Sequence, residues 1–337
     1  ICACLVGSEM CIRDRSIVMS IALIVVLGFG IYTAGGMDAV MENARALPGY
    51  LSMSMTHDPA TGTASAYGML NRISMLCWGL GYFGMPHILL RFMAIEDERK
   101  LGLSRRIASV WVVISLIIGV FIGVVGLAMT AAGELMPLTG ADSETIIVRI
   151  ADLLSRHGIL FAVLAGLILA GILASTMSTA DSQLLAASSA VSENLIQGVL
   201  GHKMNPMQSM RMARVTLLLI SVVGIFLARD PNSSVFGIVS FAWAGFGAAF
   251  GPVVMFALFW RRTNRYGAIA GMLSGGVMVF VWKYLVRPLG GVWNIYELMP
   301  AFAVACLVIW VVSLMTPAPE QEILDEFDHV RELCQQA

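Results

Sequence analysis

Runs of about 20 predominantly apolar residues, the length that crosses a bilayer, recur eight times in this chain, at 16–37, 69–92, 107–132, 159–187, 212–228, 235–260, 266–286 and 296–316. In hydrocarbon no water is present to satisfy a backbone N–H or C=O, so each run must close its own hydrogen bonds as a helix. The expected fold is therefore an all-α integral membrane protein of about eight transmembrane helices, with the lipid bilayer as its solvent. Composition agrees, because 58% of the 337 residues are hydrophobic and 13% are charged, about half the charge of a soluble domain. The balance of 21 Lys+Arg against 22 Asp+Glu leaves no basic excess for phosphates and argues against nucleic acid as a partner. An enzyme is not expected either, since no metal-ligating cluster, Ser/His dyad or phosphate-cradling glycine loop stands near a membrane face.

Basic residues set the expected orientation. The loops after the second, fourth and sixth windows hold Arg99, Lys100, Arg105 and Arg106, then Lys203, Arg211 and Arg214, then Arg261, Arg262 and Arg265. The alternate loops hold fewer: Arg45, then Arg149 and Arg156, then Arg229, then Arg287. By the positive-inside rule the first set is cytoplasmic, which places a multi-pass protein in the plasma (inner) membrane with its C-terminus inside. Residues 1–15, ICACLVGSEMCIRDR, match nothing that follows and are expected to be a non-native or artefactual prefix. The membrane domain is then 16–316, and 317–337 is an acidic cytoplasmic tail whose Ile323, Phe327, Val330 and Leu333 recur at the spacing of a short surface helix. The six cysteines are scattered, with no disulfide or metal spacing.

Chemistry is concentrated in two windows. The second reads WGLGYFGMPH over 78–87; Gly79, Gly81 and Gly84 weaken a helix, and Pro86 has no N–H for the carbonyl four residues back. Such an interrupted membrane helix is the sequence pointer to a transporter binding site. Trp78 and Tyr82, four apart, share a helix face and bracket the break; a simple kink with packed aromatics accounts for the same residues. His87 reads as a buried or pore-lining histidine rather than a proton relay.

In the fourth window Ser175, Ser178, Thr179 and Ser182 form one hydroxyl stripe at i, i+3, i+4 and i+7. Hydroxyls beside carbonyls suit a hard cation such as sodium, and they equally suit close helix packing. Asp181, a carboxylate costing about 2.5–3.5 kcal/mol at a membrane-helix centre, is either an ion or proton contact or a hydrogen-bond hub. The sixth window, SFAWAGFGAAFGP over 240–252, is dense in small residues and reads as a packing face.

The stretches WGLGYFGMPHILLRFMA (78–94), ILASTMSTADSQLLAASSAVSENL (172–195), SFAWAGFGAAFGPV (240–253) and RRTNRYGAIAGM (261–272) resemble the sodium/solute symporter family, most closely its proline-transporting bacterial members. The likeness runs in order over about 16–316 and implies a LeuT-like fold of inverted repeats that couples sodium entry to solute uptake. It further implies sodium as coupling ion on the hydroxyls of Ser178 and Thr179 and the carbonyl of Ser175, with a small solute, proline, against Trp78, Tyr82 and Pro86. Met85 replaces the glutamine common before that proline and lacks its amide hydrogen bonds, which keeps another amino acid or a small carboxylate open as solute. The eight windows resemble the last eight of a full-length member, so most of the first repeat is expected to be missing, and the N-terminal helices of the same protein become a required partner. Taken alone, the chain is expected to transport poorly or not at all. A symporter-like sensor would require a folded signalling domain beyond the last window.

Overall fold

The computed structural model describes residues 2–59, 61–93, 95, 97, 100–199, 201, 204–229 and 234–336, with the side chains of 2–15, 91, 178, 182, 193, 199, 335 and 336 excepted. In chain order the elements are α1 (Cys2–Thr33), α2 (Met37–Ala46), a hairpin of β1 (Met55–Asp58) and β2 (Thr63–Ala66), α3 (Met69–Leu76), a 3-10 run (Cys77–Gly84), α4 (Pro86–Met93), α5 (Leu101–Ala131), a 3-10 turn (Gly140–Thr145), α6 (Ile146–Ser155), α7 (Ile159–Ser189) with a π-helical extension (Ala190–Val199), α8 (Pro206–Leu227), α9 (Val235–Phe259), α10 (Arg265–Val281) with a π turn (Trp282–Val286), two short 3-10 turns (Arg287–Leu289 and Gly291–Trp293), α11 (Leu298–Met315) and α12 (Gln321–Gln336).

Among the described residues seven helices are long and apolar enough to cross a membrane: Ser16–Thr33, Leu101–Ala131, Ile159–Gly198, Pro206–Leu227, Val235–Phe259, Arg265–Leu289 and Leu298–Met315. The remaining expected window, 69–92, is not one continuous helix, because its glycines and Pro86 divide it into α3, the 3-10 run and α4. The fold is mostly helical, as expected, and the described residues carry one short hairpin besides. Residues 55–66 form an antiparallel hairpin with Met55 opposite Ala66 and Asp58 opposite Thr63. Its turn is set by Gly62 at φ +66°, a conformation glycine adopts freely, and by the Thr61 hydroxyl donating to Asp58 at 2.8 Å.

The chain divides into two compact units, 1–47 with 99–235 and 48–98 with 236–337. In the first unit Val26, Val40, Ile122, Val125, Met129, Ile150 and Leu154 form the buried core. Helices in lipid gain nothing from mutual apolar burial and hold together by close van der Waals fit, which favours small residues where they touch. Gly30 of α1 accordingly leaves room for Val125 and Met129 of α5, whose atoms would lie 2.7 and 3.4 Å from an added Cβ. Gly171 of α7 likewise meets Val18 of α1 at 2.9 Å. The Glu144 carboxylate accepts from the Ser234 hydroxyl at 2.6 Å and from the Val235 N–H at 2.9 Å, satisfying a donor exposed at the start of α9.

In the second unit Gly267, Gly271 and Gly275 lie on one ridge of α10, four apart, and face Ser313, Ile309 and Ala305 of α11. Pro252, inside α9, has no N–H to give the Ala248 carbonyl, and that carbonyl points at the bare Cα of Gly275. Asn264 caps α10 by accepting from the Gly267 N–H at 2.8 Å, while its amide donates to the Thr316 hydroxyl and the Pro317 carbonyl, each at 2.7 Å. Helix α12 forms as its periodicity predicts, and Arg261 grips Asp328 through two nitrogens, the closer contact being 2.7 Å.

Candidate functional site

The interrupted segment is built by backbone chemistry. A 3-10 helix needs three residues per turn, so Trp78 and Tyr82 stand about a third of a turn apart instead of sharing the face an α-helix would give them. A third ring brings them together. The Trp243 indole of α9 stacks on Trp78 with centroids 5.6 Å apart and planes at 15°, and meets Tyr82 edge to face at 4.8 Å and 83°. Its N–H donates to the Trp78 carbonyl at 3.1 Å, a group that low-dielectric surroundings make costly to leave without a partner.

Trp78 is enclosed further by Phe236 at 5.5 Å and Tyr296 at 5.6 Å, both nearly parallel to it. Trp78 is thus a packed wall element, whereas Tyr82 is 48% exposed. Two glycines allow this approach. An added Cβ at Gly81 would enter the Trp243 indole, and one at Gly84 would lie 2.8 Å from the Gly247 Cα and 2.9 Å from the Gly251 nitrogen.

The break itself falls at Met85, extended at φ −83° and ψ 113° and 5% exposed. Pro86 opens α4, the one helical position that wants no N–H, and the N–H groups of Ile88 and Leu89 both close on the Met85 carbonyl at 3.0 Å. Pro86 is exposed and His87 partly buried.

Tyr296 ties the cluster down from the stretch before α11. Its N–H donates to the Ser74 hydroxyl at 2.7 Å and its phenol to the Ser240 carbonyl at 2.7 Å. Burial first, and the adjoining Glu297 carboxylate second, push that phenol above the ordinary tyrosine range.

The hydroxyl stripe lies on α7 of the first unit. The Thr179 hydroxyl donates to the Ser175 carbonyl at 3.1 Å, and the Ser175 hydroxyl contacts the Met19 sulfur of α1 at 3.1 Å. Ser175 therefore turns its side chain towards α1 and keeps its carbonyl oxygen beside the Thr179 oxygen. Thr179 and Asp181 are exposed. The side chains of Ser178 and Ser182 lie outside the described residues.

The structure thus joins Trp78 to Tyr82 within one unit and Ser175 to Thr179 within the other. Trp243, Phe236, Tyr296 and Ser74 were not singled out in the sequence. Trp243 stood in the motif 240–252 that reads as packing, and the others carry no local signal because their partners are remote in the chain.

Among the described residues, seven apolar helices of membrane-crossing length, with a further apolar segment broken beside an aromatic cluster, define a multi-pass membrane protein. The chain belongs to the sodium:solute symporter family, which it matches over residues 14–275. It is 40% identical over 269 residues to the sodium/proline symporter of Haemophilus influenzae, covering 80% of this chain and 52% of that protein. It is 35% identical to the high-affinity proline transporter PutP of Bacillus subtilis over 96% of this chain and 64% of the relative. With sodium/proline symporter 2 of Staphylococcus saprophyticus the identity is 32%, over 96% of this chain and 61% of the relative. The chain spans about half to two thirds of the length of these relatives. The matched family is one of transporters and not of enzymes.

Proposed function

We propose that this chain is the C-terminal part of a plasma-membrane symporter that uses sodium entry to carry proline into the cell, with its C-terminus cytoplasmic. The arrangement of Trp78 and Tyr82 on a broken, 3-10-wound segment carries this reading, and the proline-specific names of the relatives support the solute. The fold of the whole transporter is taken as LeuT-like, with N-terminal helices of the same protein completing both sites.

Sodium is a co-substrate here. The Ser175 carbonyl and the Thr179 hydroxyl lie side by side, which fits a hard cation's demand for oxygen, and Ser178, whose side chain lies outside the described residues, would add a further hydroxyl. Asp181, two residues further on, offers a contact for an ion or proton. Proline would lie against the exposed Tyr82 ring beside Pro86, with Trp78 as the fixed wall behind.

Coupling requires that both ligands favour one conformer, so each raises the other's affinity by the same factor. The test is radiolabelled proline uptake into vesicles holding either the chain alone or the chain joined to the N-terminal part of its relatives. Sodium-driven uptake is expected only in the joined protein. Uptake by the chain alone would refute the split site, and uptake by neither would refute the function.

A further inference from the structure

We propose that Trp243 is a positioning residue for solute binding, and that it acts through the hydrogen bond its indole N–H gives the Trp78 carbonyl, a role that presupposes the aromatic solute wall proposed above. Three contacts converge on this one side chain. The N–H holds a carbonyl of the 3-10 run at 3.1 Å; the indole face lies parallel to Trp78; and Tyr82, the half-exposed ring of the pair, meets the same indole at 83°.

Gly81 sits where any side chain would strike Trp243, so the run 78–82 is seated directly on this ring. A 3-10 run has poorer hydrogen-bond geometry than an α-helix and rarely persists beyond a few residues, yet this one extends over eight, Cys77–Gly84. An external donor to one of its carbonyls fixes its winding. The winding in turn decides the angle between Trp78 and Tyr82. Trp243 therefore sets the plane of the ring offered to solute without touching solute itself, and it should govern affinity for solute rather than the rate of the transport cycle.

Two substitutions separate donor from ring. Trp243→Phe keeps an aromatic ring and removes the N–H; Trp243→His keeps a ring nitrogen at the position of the indole nitrogen and loses the second ring. In the uptake assay of the joined protein, Trp243→Phe is expected to raise the KM for proline about fivefold or more, as loss of a buried hydrogen bond implies. Maximal rate and sodium half-saturation should stay near those of the unsubstituted protein, and the melting temperature in detergent should fall modestly with the lost hydrogen bond and recover in Trp243→His. Trp243→His is expected to restore the KM.

An unchanged KM in Trp243→Phe overturns the proposal, as does a Trp243→His protein as impaired as Trp243→Phe. A Trp243→His protein whose melting temperature recovers while its KM does not also overturns it, in favour of a purely structural role. Tyr82→Leu is measured beside them. If Tyr82→Leu raises the KM and Trp243→Phe does not, only the positioning role fails; if Tyr82→Leu has no effect, the solute wall itself fails and takes this inference with it.

Discussion

The Thr179 hydroxyl donates to the Ser175 carbonyl at 3.1 Å across one turn of α7, so two of the oxygens proposed for sodium are neighbours on one helix face. A hydroxyl proton bound back to the i−4 carbonyl aims the hydroxyl oxygen's lone pairs away from that carbonyl, while the carbonyl oxygen accepts this hydroxyl besides the helical N–H one turn on, so a cation at this pair competes with both donors. The helix thus presents a pair of oxygens without a formal negative charge.

Replacing Thr179 tests that pair. Thr179→Val keeps the shape and removes the oxygen, and the sodium concentration for half-maximal uptake in the joined protein should rise about tenfold or more, the equivalent of ~1.4 kcal/mol. Thr179→Ser keeps the oxygen and should stay within about twofold, well under that energy. A valine variant with unaltered sodium dependence would remove Thr179 from the ion site.

Adjacent glycines of α10 should respond in opposite directions. A Cβ at Gly275 would strike the Ala248 carbonyl and lie 3.1 Å from the Ala305 Cβ, whereas one at Gly276 would meet nothing within 4 Å. Gly275→Ala should cost about 1–3 kcal/mol through overpacking. Gly276→Ala should gain about 0.5–1 kcal/mol by helix propensity. Thermal unfolding in detergent reads both, and shifts of the same sign in the two variants would contradict the α9–α10–α11 packing.

Tyr296 predicts a pH dependence. Its folded-state pKa lies above the ordinary tyrosine value, so the folded state holds the phenolic proton more tightly than the unfolded one. The associated stability is fully present below about pH 10, the unfolded tyrosine value, and is lost as pH rises from there towards the folded value. Ionisation would also remove the donor that reaches the Ser240 carbonyl. Tyr296→Phe should lower stability by about 0.5–1.5 kcal/mol at neutral pH and flatten the decline above pH 10. Melting curves between pH 7 and 11 check this, and an equal alkaline decline in both proteins would assign it to other groups.

Apolar windows were a sound guide to the helices because membrane insertion imposes a length and forbids unsatisfied backbone, constraints that act locally. The break near Pro86 was legible for the same reason, although it falls one residue earlier, at the extended Met85, since Pro86 is better used to start α4. The 3-10 winding of Cys77–Gly84 was not legible. It depends on α9, whose Trp243 bonds Trp78 from 165 positions away, and no local pattern encodes that distance. Tyr296 and Ser74 meet across 222 positions and were equally silent. The hairpin at 55–66 was overlooked because two strands of four residues between long apolar windows resemble any polar loop. On α7 the stripe was readable at helical spacing, but only the structure shows that Ser175 spends its hydroxyl on Met19 and leaves its carbonyl beside Thr179.

The most direct measurement is proline affinity of the joined protein in sodium and in choline at equal ionic strength. Sodium-coupled symport predicts that sodium tightens apparent proline binding, by about 5- to 150-fold for a typical coupling free energy. The same affinity in both salts would contradict the account.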